Sequence, residues 1–142
     1  VTASANLDLV RSICAGWERG DYSSTGWAHP EIEFAFADGP APGSWTGLPA
    51  MAKAMRDLLS PWEEFHQEVD QVRELDDERV LGLLNWGGRG KTSGVELGQI
   101  RSRGASIFHI RRGKVTRLVA YLDRERALAD LGLAPEATTP DS

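Results

Sequence analysis

The sequence predicts an α+β domain in which helices cover one face of a mostly antiparallel sheet. Three observations predict it. Leu7, Val10, Ile13, Cys14 and Trp17 recur at helical spacing near the N-terminus. EIEFAFAD alternates apolar and polar residues, the period of a half-buried strand. From residue 64 onward, long alternating stretches are separated by short polar turns, and only one more helical stretch follows. If the sheet curves, a conical cavity opens between sheet and helices, a natural place for a ligand.

Each element follows in order. The first helix runs over residues 6–19, with Asn6 as its cap and Gly20 as its stop. DYSSTGWAHP is turn-rich. In the strand after it, Ile32, Phe34, Phe36 and Asp38 share one face. GPAPGSWTG reads as a loop, because its glycines and prolines oppose regular structure. A second helix starts with Pro49 in its first turn and ends near Ser60, before Pro61. Its apolar face is Met51, Ala52, Met55, Leu58 and Leu59.

Strands are expected over residues 65–75 and 79–88, joined by the polar turn Asp76-Asp77-Glu78. A glycine-rich loop extends to residue 94. A strand over 96–112 then turns through Arg112-Gly113 into the last strand, 114–123. Arg124 to Leu131 is a short helix stopped by Gly132. Residues 1–133 form the single domain, and 134–142 read as a disordered tail.

Composition narrows the function. Sixteen Lys and Arg against 21 Asp and Glu leave the 142-residue chain at a net charge of -5, a poor match for a phosphate backbone, so no nucleic-acid partner is expected. No apolar run reaches the roughly 18 residues of a membrane span. VTASANLDLV lacks the basic and apolar regions of a secretion leader, and a cytoplasmic location is expected. The single Cys14 excludes an intrachain disulfide and a thiolate zinc cluster. His29 and His66 have no ligand-spaced neighbours, so neither a metal nor another cofactor is expected. GRGKTSG resembles the end of a phosphate-binding loop, but the glycine required five positions before Gly90 is Asn85.

A two-residue turn at Arg112-Gly113 sets an expected register for the last hairpin. Ile110 then faces Val115, Phe108 faces Arg117, Ser106 faces Val119 and Gly104 faces Tyr121. Asp123 falls on the same face, opposite Ser102. His109 with Thr116, Ile107 with Leu118 and Ala105 with Ala120 occupy the opposite face. Both faces are apolar enough to be covered, one by the helices and the other by a second subunit. A slip of one residue would reverse every assignment.

The stretches WERGDYSSTGWAHPEIEF, GSWTGLPAMAKAM and RRGKVTRLVAYLDRERALADLGL together resemble the SnoaL-like group of the nuclear-transport-factor-2-like, ketosteroid-isomerase-like superfamily. That resemblance implies a cone-shaped α+β barrel with an internal pocket, homodimeric through the sheet. It also implies a menu of functions: polyketide cyclase, isomerase, epoxide hydrolase, dehydratase or binding without catalysis. Asp38 lies nine residues before Gly47, similar to the spacing from the isomerase's general base to the glycine at its following helix. The isomerase's tyrosine and protonated aspartate would fall near Ile13 and Ser106, which cannot replace them. The arginine–aspartate constellation of a limonene-type epoxide hydrolase is missing from GQIRSRGAS. The late-strand aspartate of SnoaL-type cyclases is matched loosely by Asp123.

Four residues are candidates for chemistry. Asp38 shares a strand face with two phenylalanines, and burial there would make it a general base. The plainer reading is that it begins the GPAPG turn. Asp123 would cap the final helix or reach a ligand at a pocket mouth. Arg117, read as lying in an apolar layer, needs a carboxylate or an anionic ligand. Tyr121 and Arg117 would stabilise developing charge. Trp17, Phe36, Met55, Trp62, Leu84, Trp86, Ser106 and Phe108 are the candidate pocket walls for a hydrophobic polyketide- or terpenoid-like molecule. Cofactor-independent acid/base catalysis, a non-catalytic binder and a dimeric module with a filled core remain open.

Overall fold

The computed structural model describes residues 3–21, 26–38, 43–59, 62–90 and 101–133. The chain folds as α1 (Ala3–Glu18), β1 (Ala28–Phe36), β2 (Gly43–Thr46), α2 (Leu48–Leu59), β3 (Trp62–Glu74), β4 (Arg79–Gly90), β5 (Arg101–Arg111), β6 (Lys114–Tyr121) and α3 (Arg124–Asp130). The expected α+β class holds. The six strands form one curved sheet in the order β2-β1-β6-β5-β4-β3, with β1 parallel to β6 and the other pairs antiparallel. The sheet stays open, with β2 and β3 as its edges.

Several boundaries differ from expectation. The first helix begins before Asn6, so Asn6 is no cap. It is buried, and its Nδ2 donates to the Asp77 carbonyl at 2.8 Å, tying α1 to the β3–β4 turn. Gly20 does end the helix, at φ 81°. The predicted loop over GPAPGSWTG contains β2, whose Trp45 pairs with Phe34. Gly43 opens the strand and Gly47, at φ 97°, follows its end, so it stays short, as suits an edge. Arg89 and Gly90, expected to open the glycine-rich loop, are the end of β4, and the rest of that loop to residue 94, residues 96–100 of the next expected strand and the 134–142 tail lie outside the described residues.

The β5–β6 turn is the expected two-residue one, with φ 53° at Arg112 and 76° at Gly113. Ile110 pairs with Val115 as predicted, but the register then slips. His109 pairs with Arg117, Phe108 with Leu118, Ser106 with Ala120 and Ala105 with Tyr121. Thr116 is the extra residue of a β-bulge, and its Oγ1 donates to the His109 carbonyl at 3.3 Å. Beyond that bulge, every side chain of β6 lies on the face opposite to the expected one.

Two apolar layers result. The inner one joins Val10, Ile13, Cys14 and Trp17 of α1 and Met51 and Ala54 of α2 to Phe34, Val80, Leu84, Phe108 and Leu118 of the sheet. The outer one joins Leu81, Leu83, Ala105, Ile107, Val119 and Tyr121 to Ala127 and Leu128 of α3. Both faces are thus covered, but over this patch the second cover is the chain's own last helix. No helix among the described residues is long and apolar enough to cross a membrane.

Candidate functional site

Cross-strand pairing puts Gly82, Ser106, Ala120 and Phe36 in one row across β4, β5, β6 and β1. They share the inner face with Val80, Leu84, Phe108 and Leu118, because alternate residues of a strand share a face and paired residues share it across strands. Three of the four are small, so the row is a trough in an otherwise bulky layer. Ala120 stays partly exposed although β5 and β1 flank it on either side, and Phe36, Trp45 and Met55 are half-buried around the same layer. The inner layer is therefore partly exposed at this end of the sheet.

Aromatic rings surround this partly exposed end. Phe36 stands edge-on to Phe34, with centroids 5.0 Å apart, and to Trp45 at 5.7 Å. Deeper in, Trp17 stacks on Phe108 at 5.8 Å and 29° and meets Trp27 edge-on at 6.2 Å. Trp86 continues the Gly82–Leu84 face of β4, and its indole lies against Gly104. A Cβ added at Gly104 would sit 3.3 Å from the indole Nε1.

The predicted wall residues thus divide by depth. Trp17, Leu84, Ser106 and Phe108 are buried in the inner layer, while Phe36, Met55 and Trp86 are partly exposed. The Trp62 side chain lies outside the described residues. Trp45 was missed because its segment read as loop, and a lone Trp between glycines carries no strand signal.

The four residues picked for chemistry do not converge. Asp38 is half-buried at the end of β1, with Oδ1 accepting from the Leu122 amide at 2.7 Å and Oδ2 from the Asp123 amide at 3.1 Å. It clasps the end of β1 to the β6–α3 junction, a role that neither general base nor turn residue described. Asp123 caps α3, its side chain accepting from the Glu125 amide at 3.1 Å.

The bulge carries the other two to the outer face. Arg117 is exposed beside His109, so the expectation of an arginine within an apolar layer is corrected. Tyr121 is buried under α3 and donates to Asp130 at 2.9 Å. Burial and that bond push its phenol up to about 12. Tyr121 therefore stays a neutral donor, turned away from the trough.

Outside the predicted set, the structure brings together Arg124, Asp70 and Asn85. Arg124 is 2% exposed, and its guanidinium donates to the Gly104 carbonyl (3.3 Å), the Leu84 carbonyl (2.8 Å) and Asp70 Oδ2 (2.9 Å). Asp70 is the extra residue of a bulge in β3, and its Oδ1 accepts from Asn85 Nδ2 at 2.6 Å. The network pins α3 to the sheet beneath the Trp86–Gly104 contact. Nothing in RERALADL marks its first residue as buried, since its partners lie 20, 40 and 54 positions away.

A polar groove of about 570 Å³ runs between α1 and β3, lined by Arg11, Glu18, Asp70, Gln71 and neighbouring residues. Glu18 crosses it to accept from the Val69 amide at 2.8 Å. Cys14 at its base is an inert thiol, pushed up to about 12 by burial and then by the Glu18 charge. No cluster of three potential metal-ligating side chains occurs among the described residues.

Comparison with known proteins places this architecture. No curated protein matches the chain. A nuclear-transport-factor-2-like protein of Burkholderia thailandensis is 19% identical, with a TM-score of 0.73 over 95% of this chain and 99% of that one. A Xanthomonas campestris protein provisionally described as a polyketide cyclase is 18% identical, with a TM-score of 0.66 over 89% of this chain and 96% of its own. TerC, co-crystallised with polyporic acid, is 17% identical, with a TM-score of 0.66 over 91% and 97% of the two chains. At these identities the likeness is one of fold. The SnoaL-like domain model matches residues 10–118, well over half of the sequence. The chain belongs to the SnoaL-like domain family.

Proposed function

We propose that this protein binds a flat, hydrophobic small molecule of polyketide- or terpenoid-like character in the inner-face trough. The observation that carries the reading is the partial exposure of Ala120 on an interior strand, with Phe36, Trp45 and Met55 half-buried around that layer. An apolar floor with aromatic walls suits a planar ring system. Two structural neighbours point the same way: one described as a polyketide cyclase, the other crystallised with polyporic acid.

Binding is favoured over catalysis by what the acidic groups already do. Both oxygens of Asp38 hold backbone amides, and Asp123 holds its helix cap. Acid/base chemistry by Asp38 is the second reading, favoured by its position two residues beyond the half-buried Phe36. Asp38→Asn separates the two. Binding predicts saturable quenching of tryptophan fluorescence by polyporic acid in both forms, with affinities within about threefold. The variant's melting temperature should fall by several degrees, because one of the two amides loses its acceptor. If polyporic acid is turned over by the wild type and not by the variant, Asp38 is the base and the binding reading fails. A homodimer through the sheet would have to use outer-face positions beyond α3, among them Arg103, His109 and Arg117, and sedimentation of the wild type tests it.

A further inference from the structure

We propose a second site: the groove between α1 and β3 takes an extended peptide of about three residues, whose backbone adds to the β3 edge and whose terminal carboxylate meets Arg11. The site is separate from the trough, since none of its lining residues belongs to the Gly82–Ser106–Ala120–Phe36 row. The groove holds about 570 Å³ between Arg11, Cys14, Ala15 and Glu18 on the helix and residues 69–72 on the strand. The strand wall sets the kind of ligand. β3 pairs only with β4, so its far side offers backbone N–H and C=O groups to whatever lies beside it. Glu18 shows where those groups point, because its Oε2 accepts from the Val69 N–H across the groove at 2.8 Å. Nearer the turn, the Leu75 N–H bonds inward to the Arg79 carbonyl at 2.9 Å, and alternation then turns the backbone groups of Val72 outward. The Asp70 bulge between them shifts the alternation, so Val69 and Val72 both face the groove. A new strand can pair there.

The helix wall sets the ligand's length and its ends. Arg11, Ala15 and Glu18 recur at i, i+4 and i+7, so one face of α1 lines the groove. That spacing puts the two charges about 10 Å apart, the length of about three residues of extended chain. Ala15 leaves room between them. The third charge, Asp70, is already held by Arg124 and Asn85. Arg11 is exposed and forms no ion pair among the described residues. Opposite charges at the two ends match a short peptide with both termini free, its carboxylate at Arg11 and its ammonium at Glu18. Asn6 ties the start of α1 to Asp77 and Glu18 ties its end to Val69, so the helix runs antiparallel to β3. The peptide therefore lies parallel to β3, with its middle on Val72.

Trialanine and its C-terminal amide test this, because they differ only in the carboxylate. Titrated into the isotope-labelled wild type, trialanine is expected to shift the Val69 and Val72 amide resonances saturably and to leave the Ala120 methyl in place. The amide should bind about fivefold more weakly, the scale of one exposed ion pair. Arg11→Gln, at an exposed position outside the core, should weaken trialanine by the same factor and leave its amide unchanged. N-acetylation of trialanine should cost a similar factor in the wild type and nothing in Glu18→Gln. Val69 and Val72 amides that do not move, or that move without saturating, overturn the site. Equal binding of the acid and the amide, or a preference for the acid that survives in Arg11→Gln, overturns it as well. Neither result touches the trough, whose probes are apolar.

Discussion

Arg124→Ala is expected to lower the stability of the fold by about 3 kcal/mol, the low end of the range for breaking a buried ion pair. At this chain length that corresponds to roughly 10 °C in melting temperature. The side chain is 2% exposed, and its removal orphans two backbone carbonyls, Leu84 and Gly104, in the sheet under α3. The carboxylate side is milder. Asp70 is 40% exposed and retains Asn85, so water replaces the lost guanidinium. Asp70→Asn, which keeps an acceptor, should therefore cost only about 1 kcal/mol. Urea denaturation of the three proteins checks the asymmetry, and equal losses would mean that the ion pair rather than the carbonyl contacts holds α3.

Gly104→Ala is expected to cost about 2–3 kcal/mol, at the upper end for overpacking. A Cβ there would lie 2.7 Å from the Tyr121 carbonyl oxygen and 3.3 Å from Trp86 Nε1. The first neighbour is backbone of the adjacent strand, so relief requires β5 and β6 to part. Gly82→Ala is the internal control. Its Cβ would meet Phe108 and Cys14 at ordinary contact distances, and the lost flexibility of glycine favours the variant. Its stability should stay within about 0.5 kcal/mol of wild type. Thermal melts of the two variants, compared directly, show whether the glycine at 104 is required by strand approach.

The elements were largely legible because their periods are clean. The helix over Leu7–Trp17, the alternation of EIEFAFAD and the turn at Arg112-Gly113 each announce themselves locally. What escaped was non-local. KVTRLVAY alternates smoothly, and no residue type in it marks Thr116 as a bulge, yet that bulge decides which face receives Arg117 and Tyr121. The short edge strand around Trp45 exists because β1 offers it a partner. RERALADL reads plainly as an amphipathic helix, but only the fold shows which sheet face its Ala127 and Leu128 cover.

The site divided along the same line. Strand alternation alone places Phe36 on the face of Phe34 and Phe108 on that of Ser106, without reference to the register with other strands. Arg117 and Tyr121 were placed through cross-strand register, and the bulge moved them. Asp38 was chosen for its strand face, and the two amides that occupy it lie 84 and 85 residues away. Arg124 shows the same limit from the other side, since a buried charge is recognised by its partners and these are distant in sequence.

We propose the inner-face trough around Ala120 as the ligand site. Alanine-methyl NMR tests it directly, because Ala120 lies in the trough while Ala105 and Ala127 lie in the outer layer. Titrated with 2-naphthol, the Ala120 methyl resonance is predicted to shift saturably while those of Ala105 and Ala127 stay in place. A shift confined to Ala105 and Ala127, or an unmoved Ala120 in a protein that demonstrably binds the probe, would contradict a ligand site in the trough.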